Sequence, residues 1–73
     1  MKEYHPMAST IDLQGHTIQL FCQDSVRTIN GCIKQFEIWE EYGYQLEKAI
    51  VQVIENNTFV GTIEFKKQWV EVT

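Results

Sequence analysis

Residues 24–44 read DSVRTINGCIKQFEIWEEYGY, and the conformation of this segment decides the fold. Its Asn30-Gly31 pair is the strongest short-range signal for a tight hairpin turn. The residues on both sides of the pair are rich in β-branched side chains, which strands favour. On this interpretation the segment adds two strands to the fold.

The same segment also fits a helix. Ile29, Ile33 and Phe36 recur at helical spacing, and Asp24-Ser25 could cap a helix start. An Asn-Gly pair inside that helix would cost about 1–2 kcal/mol relative to alanine at both positions. Both interpretations stay open for residues 25–42, with strand slightly ahead of helix.

Outward from this segment, the two ends of the chain carry clearer patterns. Apolar residues alternate with polar ones on both sides of Gln14-Gly15-His16. Alternation with a glycine-containing break predicts a hairpin of strands near 9–14 and 17–23.

At the C-terminus a second hairpin is expected, with Lys66-Lys67 as its turn and Ile63 facing Val70. This register places the apolar residues of both strands on one side: Phe59, Ile63, Phe65, Val70 and Val72. Trp69 then lies on the other face, opposite Glu64.

A helix is predicted at about 44–56. Its residues fit the stripe of an amphipathic helix, with Val51 as the exception: Leu46, Ala49, Ile50, Val53 and Ile54. Glu40 and Glu41 favour a helix that begins after them, because acidic side chains are unfavourable at a helix C-terminus. The predicted fold class is α+β with N- and C-terminal β-hairpins and this one helix, and the alternative is an all-β small barrel.

Seventy-three residues are enough for one domain, here residues 1–73, with a marginal core that a partner subunit could complete. Residues 1–7 are expected to be a loosely ordered N-terminal extension. No apolar run reaches about 18 residues, so no membrane-spanning segment is expected. Without a secretion signal, Cys22 and Cys32 are expected to stay reduced in the cytoplasm.

The net charge of −4 and the scattered lysines disfavour direct binding of nucleic acid. No His or Cys pair has the spacing of a structural zinc site, and no glycine-rich loop could cradle a phosphate. Neither cysteine has a neighbouring cationic cluster to activate it. Paired carboxylates need a cleft of about 300 Å³ or more, for which so small a domain has little volume. We therefore expect no catalytic residues, metal or cofactor, and no enzyme activity.

The leading functional hypothesis is a protein-binding module that docks through an acidic-aromatic surface. Tyrosine and tryptophan are enriched at interface hot spots, because they bury a large area and keep a polar group. The predicted partner-binding residues are Trp39, Glu40, Glu41, Tyr42, Tyr44 and Trp69. An adaptor, regulator or inhibitor, including one of phage or mobile-element type, would fit this profile, and self-association as a dimer would support the thin core.

Two alternatives come from other functional classes. The runs VQVI at 51–54 and FVGTI at 59–63 loosely resemble the strand–turn–strand of Sm-like barrels, which implies a small β-barrel that binds nucleic acid. The acidic composition would also fit a mimic of nucleic acid that blocks a DNA-binding protein.

Overall fold

The chain folds into one antiparallel sheet with a helix across one face. The computed structural model describes residues 1–72, apart from the side chain of Lys67. The strands are β1 (Lys2–Ile11), β2 (Thr17–Phe21), β3 (Leu46–Glu55), β4 (Thr58–Lys66) and β5 (Val70–Glu71), and the helix is α1 (Ile29–Glu41). The spatial order is β2-β1-β3-β4-β5. The α+β prediction is confirmed, whereas the barrel alternative is wrong, because the sheet stays open between its edge strands β2 and β5.

The predicted N-terminal hairpin is confirmed. Residues Met7–Ile11 of β1 pair with β2, and the Asp12 carboxylate accepts the backbone N–H of Gln14 and of His16 in the turn. The expectation of a loose extension at residues 1–7 is corrected. Lys2–Met7 pairs with β3 as the first half of β1, and Pro6 is fully buried.

Residues 29–41 form the helix, so the strand interpretation of 25–42 is wrong. The helix is capped by Thr28 rather than by Asp24-Ser25, and the Thr28 hydroxyl accepts the N–H of Gly31 at 3.0 Å. The Asn30-Gly31 pair therefore lies in the first turn, where a glycine disturbs fewer helical hydrogen bonds than in the interior. The core side of α1 carries the buried residues Cys32, Phe36 and Trp39.

The helix predicted at 44–56 is wrong, because these residues form strand β3 in the centre of the sheet. Ala49, Val51 and Val53 face the helix and are buried, while Ile50 and Ile54 face the other side. A central strand with apolar residues on both faces fits the spacing of a helical stripe equally well. Strand pairing on both sides of β3 decides between the two structures.

Asn56 and Asn57 connect β3 to β4 as a tight hairpin turn. Both have positive φ, 50° and 65°, as a type I′ turn requires. The pairing shifts by one residue soon after the turn, between Val53 and Ile54. This bulge leaves Phe59 exposed, although Ile63 and Phe65 farther along β4 face the core.

The C-terminal hairpin exists, but its predicted register is wrong. Lys66 pairs with Val70, and Phe65 pairs with Glu71. A short 3₁₀ turn at Lys67–Trp69 makes the connection longer than a two-lysine turn. Val70 and Val72 are consequently half exposed, and Trp69 packs against the core instead of facing away from it.

Replacing Gly31 with alanine is expected to destabilise the protein, although alanine favours a helix by about 1 kcal/mol. A Cβ at Gly31 would lie 2.5 Å from Cγ1 of Val26. Val26 cannot move away easily, because its backbone exchanges two hydrogen bonds of 2.7 and 2.8 Å with Tyr4. We expect Gly31→Ala to lower the free energy of unfolding by about 1–3 kcal/mol, measured by urea denaturation.

The matched control is the pair of variants Val26→Ala and Val26→Ala/Gly31→Ala. With the Val26 branches removed, adding the methyl at Gly31 should be neutral or stabilising. An increase in stability for Gly31→Ala alone would contradict this packing.

Candidate functional site

A concave surface lies at the end of the sheet where α1 stops and β3 begins. It is an open cleft of about 920 Å³, which is larger than the sequence led us to expect. Its polar and aromatic lining includes Glu40, Tyr44, Glu47 and Trp69, and its apolar lining includes Ile11, Leu46 and Phe65. We refer to these seven residues together as the acidic-aromatic cleft.

The C-terminus of α1 positions Tyr44 on the wall of the cleft. Gly43 has φ of 99°, and its N–H donates to the carbonyl of Glu40 at 3.0 Å. The N–H of Tyr44 donates to the carbonyl of Trp39 at 3.2 Å. These two bonds form a Schellman motif, which reverses the chain direction after the helix. The next residue is fixed as well, because the Thr10 hydroxyl donates to the carbonyl of Gln45 at 2.6 Å.

Trp69 also lines the cleft. Its ring centroid lies 5.1 Å from that of Phe36, a residue at the centre of the core. Its indole N–H donates to Oε1 of Glu40 at 2.9 Å. Gln68 and Trp69 both have positive φ, which is costly for residues with a Cβ. The packing and the hydrogen bond of the indole offset this cost.

Glu40 and Glu41 are in the last turn of α1, where the helix dipole disfavours negative charge. The sequence argument placed a helix start after these acids for that reason, and the structure has a helix end instead. The hydrogen bond from the Trp69 indole partly offsets the unfavourable position of the Glu40 carboxylate at this end of the helix dipole. Among the side chains that the structure describes in residues 1–72, none makes a comparable contact with Glu41.

The six predicted partner-binding residues divide into three groups. Glu40, Tyr44 and Trp69 meet in the cleft, although Trp69 is 29 residues from Glu40 in sequence. Trp39 is only 8% exposed and packs in the core, so its side chain is not presented to a partner. Glu41 and Tyr42 are exposed outside the lining of the cleft.

Sequence reasoning did not identify Glu47, Ile11 and Phe65 as cleft residues. The sequence does contain an indication of Glu47, because this residue lies three positions after Tyr44 and extends the same run of acidic and aromatic residues. Ile11 and Phe65 carry no such signal, because apolar residues that alternate in strands are expected in a core. Only the sheet order brings the end of β1 and the end of β4 to the same edge.

The cysteines lie away from the cleft and are free thiols. Burial raises the pKa of Cys32 to about 11, and the nearby Cys22 adds to the effect. The pKa of Cys22 is also raised, first by burial and then by the charge of Asp24. Both groups are therefore held as thiols at neutral pH, which is the opposite of an activated nucleophile.

The described part of the chain, residues 1–72, also bears on metal binding and on membrane insertion. No three His, Cys, Asp or Glu side chains in this part of the chain lie together as a metal-binding group. Its helices are all too short or too polar to cross a membrane. Compared with known proteins, the chain matches no family model, no curated protein and no solved structure.

Proposed function

We propose that this chain is a small protein-binding module whose partner docks in the acidic-aromatic cleft. The observation that carries the proposal is the convergence of Glu40, Tyr44 and Trp69 on one cleft of about 920 Å³. That volume is within the range of sites that enclose a ligand or a few side chains of a partner. An adaptor, regulator or inhibitor of another protein, cytoplasmic and without enzyme activity, is the function that we infer.

The composition of the lining supports binding of a protein segment. Tyr44 is 41% exposed, so a large part of its ring is available for burial by a partner. Trp69 is half-buried and already held by Phe36 and Glu40, so it would lose little rotamer freedom on binding. Rigid aromatic side chains of this kind are the usual anchors of protein interfaces.

Tyr44→Ala is expected to abolish most partner binding without unfolding the domain. Tyr42→Ala is its matched control, because Tyr42 is two residues away, is 77% exposed and does not line the cleft. Truncation of an interface anchor costs about 2 kcal/mol or more, a factor of about 30 in affinity. The measurement is affinity capture from a lysate of the source organism, with nuclease present, for the wild type and both variants.

Three results of this capture experiment would be informative. A protein that is retained by the wild type and Tyr42→Ala but lost with Tyr44→Ala supports the proposal. Retention by all three chains contradicts a site in the cleft. Recovery of nucleic acid in place of a protein, when nuclease is omitted, favours the nucleic-acid hypothesis instead.

We further propose that two copies of the chain pair along the outer edge of β4. In residues 1–72, β4 is paired on its outer side only near its end, through Phe65, Lys66 and the bond from Val72 N–H to the Glu64 carbonyl. Thr58–Ile63 pairs with β3 alone. Because a strand can pair with its own copy antiparallel about a two-fold axis, this edge suits a symmetric dimer.

Thr62→Pro is expected to convert this dimer to a monomer while the fold is retained. Backbone groups alternate in direction along a strand, so the Thr62 N–H points outward like the Glu64 carbonyl. A proline there removes an outward donor and is tolerated by an edge strand. Sedimentation velocity should give a dimer for the wild type and for Thr62→Val. A monomeric wild type, or a dimeric Thr62→Pro with unchanged circular dichroism, would contradict pairing at β4.

A further inference from the structure

The charge of the acidic-aromatic cleft indicates what kind of side chain the partner presents. Among the lining side chains that the structure describes, which do not include that of Lys67, Glu40 and Glu47 are carboxylates and Lys66 is a cation. Glu41 adds a negative charge on the adjoining end of α1. The chain as a whole carries a net charge of −4. An anionic group would be repelled here, whereas a cationic group would meet complementary charge.

The Glu40 carboxylate is prepared to accept further hydrogen bonds. One of its oxygens, Oε1, accepts the indole N–H of Trp69 at 2.9 Å, which fixes the orientation of the carboxylate. A carboxylate has about four acceptor sites on its two oxygens, so Oε2 stays available to a second donor. Because the group is already oriented, a ligand would not have to order it.

The two aromatic side chains of the lining favour one kind of cation. Tyr44 and Trp69 both line the cleft beside Glu40. A guanidinium can stack on an aromatic ring with its flat face and donate to a carboxylate with its edge. An ammonium is a compact and strongly hydrated charge, which loses more hydration when it is brought against an aromatic ring.

From this geometry we propose that the cleft binds an arginine side chain of the partner protein, with the guanidinium against Tyr44 and Trp69 and hydrogen-bonded to Glu40. The inference rests on the proposed function, since it names the chemistry of the partner that docks in the same cleft. Glu47 is the second carboxylate and stabilises the positive charge from the β3 side. Ile11 and Leu46 contact the aliphatic part of the arginine side chain.

The test uses three synthetic peptides added to the ¹⁵N-labelled full chain and followed by NMR. They are acetyl-Gly-Arg-Gly-Arg-Gly-amide and its counterparts with lysine or with citrulline at both arginine positions. Citrulline keeps the shape of arginine but is uncharged. The arginine peptide should shift the indole N–H signal of Trp69 and the backbone amide of Tyr44. We expect affinity to be several-fold weaker for the lysine peptide and undetectable for the citrulline peptide.

Protein variants complete the test. Glu40→Gln keeps an acceptor for Trp69 but removes the charge, and it should weaken binding of the arginine peptide about fivefold or more. Tyr42→Ala, outside the cleft, should bind the peptide as the wild type does. Equal binding of the citrulline peptide, or unchanged affinity in Glu40→Gln, would overturn the proposal. Shifts dispersed over the acidic surface, with none at Trp69, would also overturn it.

Failure of this inference can be distinguished from failure of the proposed function. If no peptide binds but protein capture still depends on Tyr44 and not on Tyr42, the cleft is a protein site of different specificity. If capture is independent of Tyr44 as well, the cleft is not the site, and both proposals fail.

Discussion

The packing of Trp69 against Phe36 is the contact on which the rest of this end of the molecule depends. Phe36 is fully buried and lies within 6.1 Å, centroid to centroid, of three rings: Trp39, Phe65 and Trp69. The first of these is on the helix and the second is on β4. Trp69 joins the C-terminal segment to both, although β5 itself contributes only two paired residues. This contact acts together with the pairing of β5 and the bond from Val72 to Glu64 in holding residues 69–72 against the sheet.

The contact between Trp69 and Phe36 also helps to offset two unfavourable features of the nearby structure. Left-handed backbone at Gln68 and Trp69 is unfavourable, and so is negative charge in the last turn of α1. A single indole offsets part of both, since its ring packs on Phe36 and its N–H donates to Glu40. Features that are locally unfavourable and retained together tend to mark functional sites. Because both unfavourable features lie beside one indole in the cleft, we propose the cleft, rather than the face of the sheet opposite the helix, as the functional site.

The parts of the fold that were predictable from the sequence are those in which the local residue pattern fits only one secondary structure. The N-terminal hairpin follows from alternation and a glycine turn, and the α+β class follows from the mixture of patterns. The positions of helix and strand were exchanged because two signals were ambiguous. Asn30-Gly31 fits a hairpin turn, yet the Thr28 cap next to it starts a helix. Residues 46–55 satisfy the spacing of a helical stripe, yet they form a central strand between two others.

The candidate site was predictable only in part, for the same reason. The acidic-aromatic composition around Tyr44 is visible in the sequence, so Glu40 and Tyr44 could be found. Trp39 has the same composition signal, but the helix phase turns it into the core, and that phase was not known. The contact of Trp69 with Glu40 depends on a register set by a 3₁₀ turn that no residue pattern indicates.

The central claim is that Trp69 is fixed beside Glu40 in solution, and its indole proton tests this most directly. The chain has two tryptophans, Trp39 and Trp69, so the indole region of a ¹⁵N NMR spectrum should contain two signals. We predict that the Trp69 indole proton exchanges slowly with solvent, and that Glu40→Ala accelerates its exchange while leaving the buried Trp39 signal unchanged. Exchange of the Trp69 indole at the rate of a free indole in the wild type would contradict the account, because the cleft would then lack one of its walls.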